Sequence, residues 1–358
     1  MQKFAGRIIQ LASAIRGSLY DRGLFKSWKL PGHTISIGNI TTGGTGKTPV
    51  VMHVSRLLSE RGRNVCVILR GYGRKDEGRR VFVSDGESLL STFEEAGDEA
   101  IELARNLLGT AVVVADRDRV GAAFEAAEKF GCDAFVLDDA FQHRKAKRDL
   151  DIVLIDCMNP FADAEPKIPG FLREKPSALK RADIIVITRT NSCVDIECVE
   201  AEIKASAHNV PIFRASNVIT GFQNLDDGDS LQNIAASELQ KPFGAFCGIG
   251  NPEGFFAVVA GELGEPAFKL PFPDHRNYGA DDIKKIGNLA REYNCKCVVT
   301  TAKDAVKLQD ARFDLPVFVA ESKVVFEDEE GFGETVSSFG FGQSSKFQVP
   351  SSKKKHES

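Results

Sequence analysis

The sequence predicts an α/β protein with a large parallel-sheet domain, a second, smaller α/β domain and an N-terminal amphipathic helix. Three observations support this prediction. Short apolar runs alternate with helical patterns through the first half of the chain, a Gly-rich loop follows the first run, and a second strand–helix rhythm begins at residue 243. Strands that alternate with helices are typical of a parallel sheet covered by helices. At 358 residues the chain is long enough for two domains, each with its own core.

The first 30 residues form a basic segment with an amphipathic helical pattern. They hold six basic residues against one acidic residue, Asp21, and their longest uncharged run is residues 8–15. That run is too short to cross a bilayer. An apolar face flanked by arginines suits a helix that lies in the headgroup region of an anionic membrane. A helix packed on the protein's own core would show the same pattern. Both interpretations remain open at this point.

The apolar run 34–38 leads into the loop TTGGTGKT, and a helical stretch at 49–60 follows it. Backbone N–H groups in such a loop point at phosphates, and the start of the next helix adds partial positive charge. Lys47 would reach the β- and γ-phosphates, and the Thr48 hydroxyl would bind Mg²⁺. We therefore predict a P-loop NTPase parallel-sheet domain over residues 31–213, rather than a plain Gly-rich turn. The residues expected to bind the nucleotide in this loop are Thr41, Thr42, Gly43, Gly44, Thr45, Gly46, Lys47 and Thr48.

Further elements of this domain follow in chain order. Apolar runs predict strands at 65–69, 111–115, 133–137, 151–156 and 183–188, and amphipathic patterns predict helices near 97–108 and 118–130. The glycines and charges of residues 71–80 interrupt the alternation, as a hairpin or an exposed loop would.

Asp138 and Asp139 come directly after the strand at 133–137. Ligands gather at the carboxyl ends of strands in open α/β sheets, so we expect this pair beside Lys47. A carboxylate there holds Mg²⁺ directly or through water, and either aspartate is a candidate ligand. A solvated turn is the alternative.

Other polar residues near strand or helix ends are candidates for the same site. Arg119 and Arg173 offer guanidinium groups to phosphate oxygens, and Gln142 follows the aspartate pair. Asp98 starts a helix, where an acidic residue is also a common cap.

The second half of the chain begins with a linker predicted at 214–241, where Asn, Asp, Gly and Ser replace the alternating pattern. A smaller α/β domain is expected over 242–326, with His275 in a proline-bounded segment. Its predicted elements are strands at 243–247, 266–270, 296–300 and 316–320 and a helix at 280–292. Residues 327–358 turn acidic and then Gly- and Ser-rich, which predicts a disordered tail.

The composition excludes some classes of protein. A net charge of −4 argues against a general nucleic-acid binder, so no nucleic-acid partner is expected. The eight cysteines contain no CxxC pair, and no signal peptide is visible. We therefore expect reduced thiols in a cytosolic protein.

Taken in order, these motifs resemble the tetraacyldisaccharide 4′-kinase family, the lipid A 4′-kinases of Gram-negative bacteria. The resemblance extends from the N-terminus to about residue 325, with departures at Ala140 and Ala302. The matching segments are LYDRG at 19–23, IGN at 37–39 with TTGGTGKT, RGYG at 70–73, GDE at 97–99, LDDAFQH at 137–143, RDLD at 148–151, FCGIGNP at 246–252, FPDH at 272–275 and KDAVKL at 303–308.

The resemblance implies ATP- and Mg²⁺-dependent phosphorylation of the 4′-hydroxyl of a tetraacylated glucosamine disaccharide 1-phosphate, in lipid A biosynthesis. It implies a two-stranded linker, and an N-terminal helix seated on the anionic cytosolic face of the inner membrane. Asp98 would accept the proton of the sugar hydroxyl, and His275 would orient it. Lys47 and Asp139 complete the implied catalytic set, and Thr48, Asp138 and Asp139 the implied metal site.

Two other functions compete with this one. A P-loop GTPase or ATPase would hydrolyse the nucleotide, but the guanine-reading pattern Asn-Lys-x-Asp is absent from the sequence. A nucleotide-switched membrane adaptor would need Lys47 and Thr48 but no group that activates a hydroxyl.

Overall fold

The computed structural model describes residues 2–161, 172–227, 234–274, 276–308 and 311–338, with side chains from residue 10 onward. The strands are β1 (Trp28–Lys29), β2 (His33–Asn39), β3 (Val65–Leu69), β4 (Val81–Ser84), β5 (Ala111–Ala115), β6 (Ala134–Asp138), β7 (Ala146–Lys147), β8 (Leu150–Asp156), β9 (Ile184–Thr188), β10 (Ile212–Asn224), β11 (Phe243–Cys247), β12 (Lys269–Pro271), β13 (Cys297–Thr301) and β14 (Val317–Phe326). The α-helices are α1 (Gln2–Asp21), α2 (Lys47–Glu60), α3 (Phe93–Ala96), α4 (Asp98–Asn106), α5 (Arg119–Phe130), α6 (Ile196–Ser206), α7 (Pro252–Leu263), α8 (Ala280–Glu292), α9 (Ala302–Ala305) and α10 (Glu329–Ser338).

The larger half is built on parallel strands in the order β9-β8-β2-β6-β3-β5, with β4 antiparallel at the edge. These strands are apolar on both faces because helices cover both faces. Ile152 and Leu154 of β8 pack in the core with α2 and α4, whereas Val153 and Ile155 pack on the opposite face with α6. This arrangement confirms the predicted α/β class.

The register of β2 places the Gly-rich loop beside the aspartate pair. β2 pairs with β6 from His33↔Ala134 to Ile37↔Asp138, and with β8 on its other side. Because all three strands run in parallel, the loop after β2 and the residues after β6 leave the sheet at the same edge.

The smaller half adds the strands β12-β11-β13-β14 to the same sheet. Its strands β11, β12 and β13 are parallel, and α7 and α8 pack against them. β14 joins the halves by pairing antiparallel with β10, from Ala215↔Phe326 to Asn224↔Phe318.

The two-stranded linker therefore differs from the segment predicted at 214–241. Its first strand is β10, but its second strand is β14, which the sequence had placed in the smaller domain. β10 was missed because its sequence, IFRASNVITGFQN, mixes polar and apolar residues without alternation and most of the strand is only half-buried. The other predicted elements agree to within a few residues, although β12 is shorter and lies later than predicted.

The prediction of a disordered tail from residue 327 was wrong for its first part, because residues 329–338 form α10. Phe332 and Val336 are fully buried against the larger half, and the ring of Phe332 stacks on Phe326 at 3.9 Å between centroids. The spacing of these two residues by one helical turn supplies the apolar contact. Residues 339–358 lie outside the described part of the chain.

α1 is present as a helix, and its apolar side chains at Leu11 and Ile15 are 64% and 55% exposed. It contacts the larger half through Arg144, which bonds the Gly17 carbonyl at 2.9 Å and pairs with Asp21 at 2.7 Å. The described part of this helix therefore does not bury its apolar side chains in the core. In the ranges that the structure describes, we find no helix long and apolar enough to cross a membrane.

One pair of cysteines is oxidised, contrary to the prediction of reduced thiols. Cys157 and Cys193 form a disulfide with their Cα atoms 5.5 Å apart, although reduced thiols were predicted. The two residues are 36 positions apart in sequence and follow different strands, so no spacing motif indicated the pair. The other six cysteines are free.

Candidate functional site

A cavity of about 360 Å³ lies between the two halves, at the edge of the sheet where β2 and β6 end. Residues 43–48, Asp138, Asp139 and Arg173 line it from the larger half. From the smaller half come residues 249–251 and 301–303. The two halves therefore enclose one site.

The Gly-rich loop is held open by its own conformation and by side chains beneath it. Gly43 and Gly46 have φ angles of +104° and +77°, which favour glycine. The Thr45 hydroxyl accepts a hydrogen bond from the Asn39 amide at 3.0 Å, and the Thr45 carbonyl accepts one from the Thr188 hydroxyl at 3.0 Å. Thr45 thus fastens the loop to the sheet, and the glycines leave room for phosphate oxygens.

Lys47 begins α2 and faces the carboxylate of Asp139. Its Nζ lies 3.5 Å from Asp139 Oδ1, and Arg173 Nη1 lies 2.8 Å from both oxygens of the same carboxylate. Burial opposes ionisation of Asp139, but Lys47 and Arg173 outweigh burial and hold the pKa of its carboxyl well below its usual range. Among these three groups there are two cations and one anion, so the cluster itself carries positive charge that can neutralise phosphate oxygens.

Asp138 has the opposite environment from its neighbour. Burial raises the pKa of its carboxyl to about 7, against the attraction of Lys47. Its Oδ1 is buried without a hydrogen-bond partner. A buried carboxylate oxygen without a donor is a suitable ligand for a hard cation. Asp138 therefore fits Mg²⁺, with Thr48 lining the same cavity.

Among the residues described, no group of three or more His, Cys, Asp or Glu side chains is placed to hold a metal ion. Mg²⁺ in nucleotide sites is commonly bound by one or two carboxylates together with phosphates and water, so this sparse donor set suits that ion.

Arg119 and Gln142 form hydrogen bonds with residues next to the cavity. Arg119 is 4% exposed and donates from Nη2 to the Asp138 carbonyl at 3.0 Å. Gln142 donates to the Asn39 carbonyl at 2.9 Å and to Glu174 at 3.0 Å. Neither residue lines the cavity, and neither do Thr41 and Thr42. Arg119 and Gln142 thus contact the ends of β6 and β2.

Asp98 is the first residue of α4, after Gly97. Gly97 has a φ of +88°, and a Cβ there would lie 2.8 Å from the Tyr72 carbonyl oxygen, so only glycine fits. The Asp98 side chain is buried, accepts a hydrogen bond from the Glu99 N–H at 2.9 Å, and lies 2.7 Å from Lys307 Nζ. Glu99 and Glu102, on the same helix, line the cavity. His275 lies outside the described residues.

The sequence did not single out several charged residues of this cavity. Lys303 forms ion pairs with Glu99 at 3.4 Å and with Asp274 at 3.1 Å. The pair with Glu99 joins the smaller half to the larger one. Burial raises the pKa of Glu102 to about 8. The sequence signals for Glu99, Asp274 and Lys303 were the segments GDE, FPDH and KDAVKL, to which no role in binding was given for these three residues.

Arg189 was also missed, although it is in a left-handed conformation with a φ of +60°. Its Nη2 donates to the Gly44 carbonyl at 2.6 Å, and its Nη1 pairs with Asp156. The arginine therefore links the end of β9 to the Gly-rich loop.

Part of the cavity lining is apolar, and we call this set of residues the apolar wall. Its residues come from the linker strands and from the smaller half, and two polar residues of β10 and β14 also line the cavity. The apolar members are Ile219, Ile249, Phe255, Val258 and Ala320, and the polar members are Asn217 and Ser322.

Comparisons with known proteins give a consistent result. A model of the family described as tetraacyldisaccharide-1-P 4′-kinase matches residues 3–339. The tetraacyldisaccharide 4′-kinase of Geobacter metallireducens is 40% identical over 298 residues, covering 83% of this chain and 85% of that protein. The protein of that name from Desulfotalea psychrophila is 34% identical over 336 residues, covering 91% and 93%. The crystal structure of LpxK from Aquifex aeolicus in complex with ATP has a TM-score of 0.70 and 30% identity, covering 93% of this chain and 96% of that one.

Proposed function

The chain belongs to the tetraacyldisaccharide-1-phosphate 4′-kinase family, and from that premise we propose that it transfers the γ-phosphate of ATP to the 4′-hydroxyl of a tetraacylated glucosamine disaccharide 1-phosphate. The observation that carries the proposal is the interdomain cavity, in which residues 43–48 and the Asp139–Arg173 pair meet residues of the smaller half. One wall binds phosphates, and the other brings a second set of side chains to the acceptor.

The residues around the Gly-rich loop bind and neutralise the triphosphate. Lys47 and Arg173 contribute the positive charge, and backbone N–H groups at the start of α2 contribute more. Phosphoryl transfer depends mainly on in-line positioning and charge neutralisation, so this set supplies most of what the reaction needs. Mg²⁺, held by Thr48 and Asp138 or Asp139, would supply additional charge neutralisation when bound.

The apolar wall is where we place the adenine ring. Flat apolar surfaces with a few polar groups at the edge are typical of sites for planar ligands. Phe255, Ile219 and Val258 give the surface, and Asn217 with Ser322 gives hydrogen-bonding groups at its border.

Asp98 is the proposed proton acceptor. The hydroxyl oxygen forms a bond to the γ-phosphorus, the bond from phosphorus to the ADP oxygen breaks, and the hydroxyl proton passes to the Asp98 carboxylate. A carboxylate within hydrogen-bond reach lowers the barrier for such a weak nucleophile. Glu99 is the alternative acceptor, because it lines the cavity directly. We also propose that His275, which lies outside the described residues, orients the Asp98 carboxylate.

We further propose that α1 and the following turn seat the enzyme on the anionic cytosolic face of the inner membrane. Leu24, Phe25 and Trp28 are exposed beyond the end of α1, and Lys26 lies 3.7 Å over the Trp28 ring. Acyl chains leave a bilayer at a cost of about 0.8 kcal/mol per CH₂, so the enzyme must reach its substrate at the membrane.

The direct test is to incubate the protein with labelled ATP, Mg²⁺ and the tetraacylated disaccharide 1-phosphate in detergent micelles. We expect a lipid product heavier by one phosphate, and no product from Lys47→Ala. Release of free phosphate without lipid phosphorylation would indicate a hydrolase instead, and nucleotide binding without either product would indicate an adaptor.

A further inference from the structure

Two lysines of the smaller half contact adjacent acidic residues at the start of α4 in the larger half. Lys307 Nζ lies 2.7 Å from Asp98 Oδ2, and Lys303 Nζ lies 3.4 Å from Glu99 Oε1. The lysines are four positions apart in and just after α9, so both side chains leave the same side of this turn. The contact therefore pairs one lysine with each carboxylate.

The turn that carries these lysines is fixed by a buried aspartate. Asp304 is fully buried and accepts hydrogen bonds from the Gly248 N–H at 3.0 Å, the Tyr278 hydroxyl at 2.9 Å and the Thr301 hydroxyl at 2.7 Å. Its three donors come from three different segments of the smaller half. The position of Lys307 is thus set by the core of that half and not by a free loop.

The Lys307–Asp98 pair is shielded from water. The side chain of Lys307 is 2% exposed and that of Asp98 is 5% exposed. A buried ion pair loses hydration on both sides, and removal of either partner leaves the other charge uncompensated. The acidic groups near Asp98 are Glu99, Glu102 and Asp304, and the described cations there are Lys303 and Lys307. Because Lys303 already contacts Glu99 and Asp274, Lys307 is the cation placed directly on Asp98.

We propose that Lys307 is a positioning residue of the kinase reaction: its ammonium group fixes the Asp98 carboxylate in place and keeps it ionised until the sugar hydroxyl gives up its proton. This inference rests on the proposed function, in which Asp98 is the proton acceptor. The Glu99 N–H donates a hydrogen bond to one carboxylate oxygen, and Lys307 Nζ forms an ion pair with the other, so each oxygen has a described contact. Lys307 itself transfers no atom. The proton taken by Asp98 returns to solvent after the product leaves.

The contact between Lys307 and Asp98 also couples the proposed proton transfer to the contact between the two halves. Lys307 belongs to the smaller half, whereas Asp98 belongs to the half that carries the Gly-rich loop. The contact between Lys307 and the acceptor carboxylate therefore forms where the two halves meet. In an open cleft, Asp98 would lose its contact with Lys307. Proton transfer to Asp98 would therefore be favoured in the closed enzyme, where water is excluded.

The test compares Lys307→Met, Lys307→Arg, Asp98→Asn and the double variant Lys307→Met/Asp98→Asn in the lipid phosphorylation assay. For Lys307→Met we expect kcat to fall by about 10- to 100-fold with little change in the KM for ATP. We also expect the acid limb of its pH–rate profile to move to higher pH, because loss of the cation favours the protonated carboxyl. Lys307→Arg should retain most of the activity, since it keeps the charge.

The double variant separates a role through Asp98 from a general structural role. If Lys307 acts through Asp98, Lys307→Met/Asp98→Asn is no slower than Asp98→Asn alone, because the two losses are not additive. This comparison also serves if Lys307→Met alone does not fold, since the double variant leaves no unpaired charge at this position.

Other outcomes would overturn the inference. Lys307→Met with wild-type kcat and an unmoved acid limb, or a double variant much slower than Asp98→Asn, would show that Lys307 does not act through Asp98. Either result leaves the proposed function intact, because wild-type protein still phosphorylates the glycolipid. A wild-type protein that makes no phosphorylated lipid would overturn the proposed function, and this inference with it.

Discussion

Asp138 and Asp139 are neighbours in sequence, yet their surroundings shift the pKa values of their carboxyl groups in opposite directions, upward for Asp138 and downward for Asp139. Asp139 is ion-paired with two cations, whereas Asp138 has a buried oxygen without a partner. The sequence could place both residues at the edge of the sheet because a strand leads directly into them. It could not divide their roles, because Arg173 reaches Asp139 from a segment 34 positions away. The same limit applies to Asp98 and Lys307, whose contact depends on how two domains meet.

The first prediction concerns which carboxylate accepts the proton. Asp98→Asn should lower kcat by about 10²- to 10⁴-fold, because the general base is lost while ATP still binds. Glu99→Gln is the matched control, since it removes the neighbouring charge, and it should lower kcat far less. The measurement is steady-state lipid phosphorylation with folding checked by circular dichroism. The reverse order of losses would identify Glu99 as the acceptor.

The second prediction concerns stability at alkaline pH. Burial raises the pKa of Glu102 from 4.5 to about 8, so the folded protein keeps a proton there that the unfolded chain loses above pH 4.5. The stabilisation from this proton is complete below pH 4.5 and disappears as the pH rises through 8. Glu102→Gln should therefore gain about 1–2 kcal/mol relative to wild type between pH 5 and pH 8.5, allowing for partial access of solvent through the cavity.

Urea unfolding at the two pH values measures this difference. Glu128→Gln, at an exposed position of α5, is the control for loss of one charge. An equal effect of Glu102→Gln at both pH values would contradict the assignment of a raised pKa.

At the scale of elements, the strongly patterned ones were predicted and the weakly patterned ones were not. β3, β5, β11 and α8 occur where the sequence placed them, because their apolar residues follow the period of a strand or helix. β10 and α10 were missed, because part of their stability comes from partners distant in sequence. β10 is completed by β14, and α10 is held by Phe332 in a site formed with Phe326 and Phe213.

The third prediction is that α10 stabilises the larger half. Phe332→Ala should lower the free energy of unfolding by about 3–5 kcal/mol, because it leaves a cavity in a fully buried site. Phe124→Ala is the matched control, since Phe124 is 49% exposed on α5, and its cost should be below about 1 kcal/mol. Denaturant unfolding of both variants measures the two free energies of unfolding for this comparison. Equal small costs would mean that α10 is not part of the folded core.

At the scale of the whole molecule, one end carries an apolar surface beside basic residues. Leu11, Ile15 and Leu24 are more than half exposed, and Arg16 and Lys26 lie close to them in sequence. The sequence predicted the helix and left its environment open, because an amphipathic pattern is shared by membrane-bound and core-packed helices. The exposure of the described apolar side chains supports the membrane interpretation, which stays a proposal.

The fourth prediction follows from that surface. The double variant Leu11→Ser/Ile15→Ser should reduce binding to vesicles containing phosphatidylglycerol several-fold, because it removes apolar area that would enter the headgroup region. Phe124→Ser, on a different surface, should bind like wild type. Co-sedimentation at low and high salt measures both effects. Unchanged sedimentation of the double variant would argue that another surface meets the lipid.

The antiparallel ladder of β10 and β14 has a mechanical consequence for turnover. The two halves are joined by the hydrogen-bonded strands β10 and β14, and the register of this pair shifts between Ile219 and Gly221. We therefore expect any opening of the cleft to twist β10 and β14 together, because the two strands are hydrogen-bonded to each other. Amide hydrogens on either side of the shift should exchange with solvent slowly even while the enzyme cycles, and rapid exchange throughout would refute the idea.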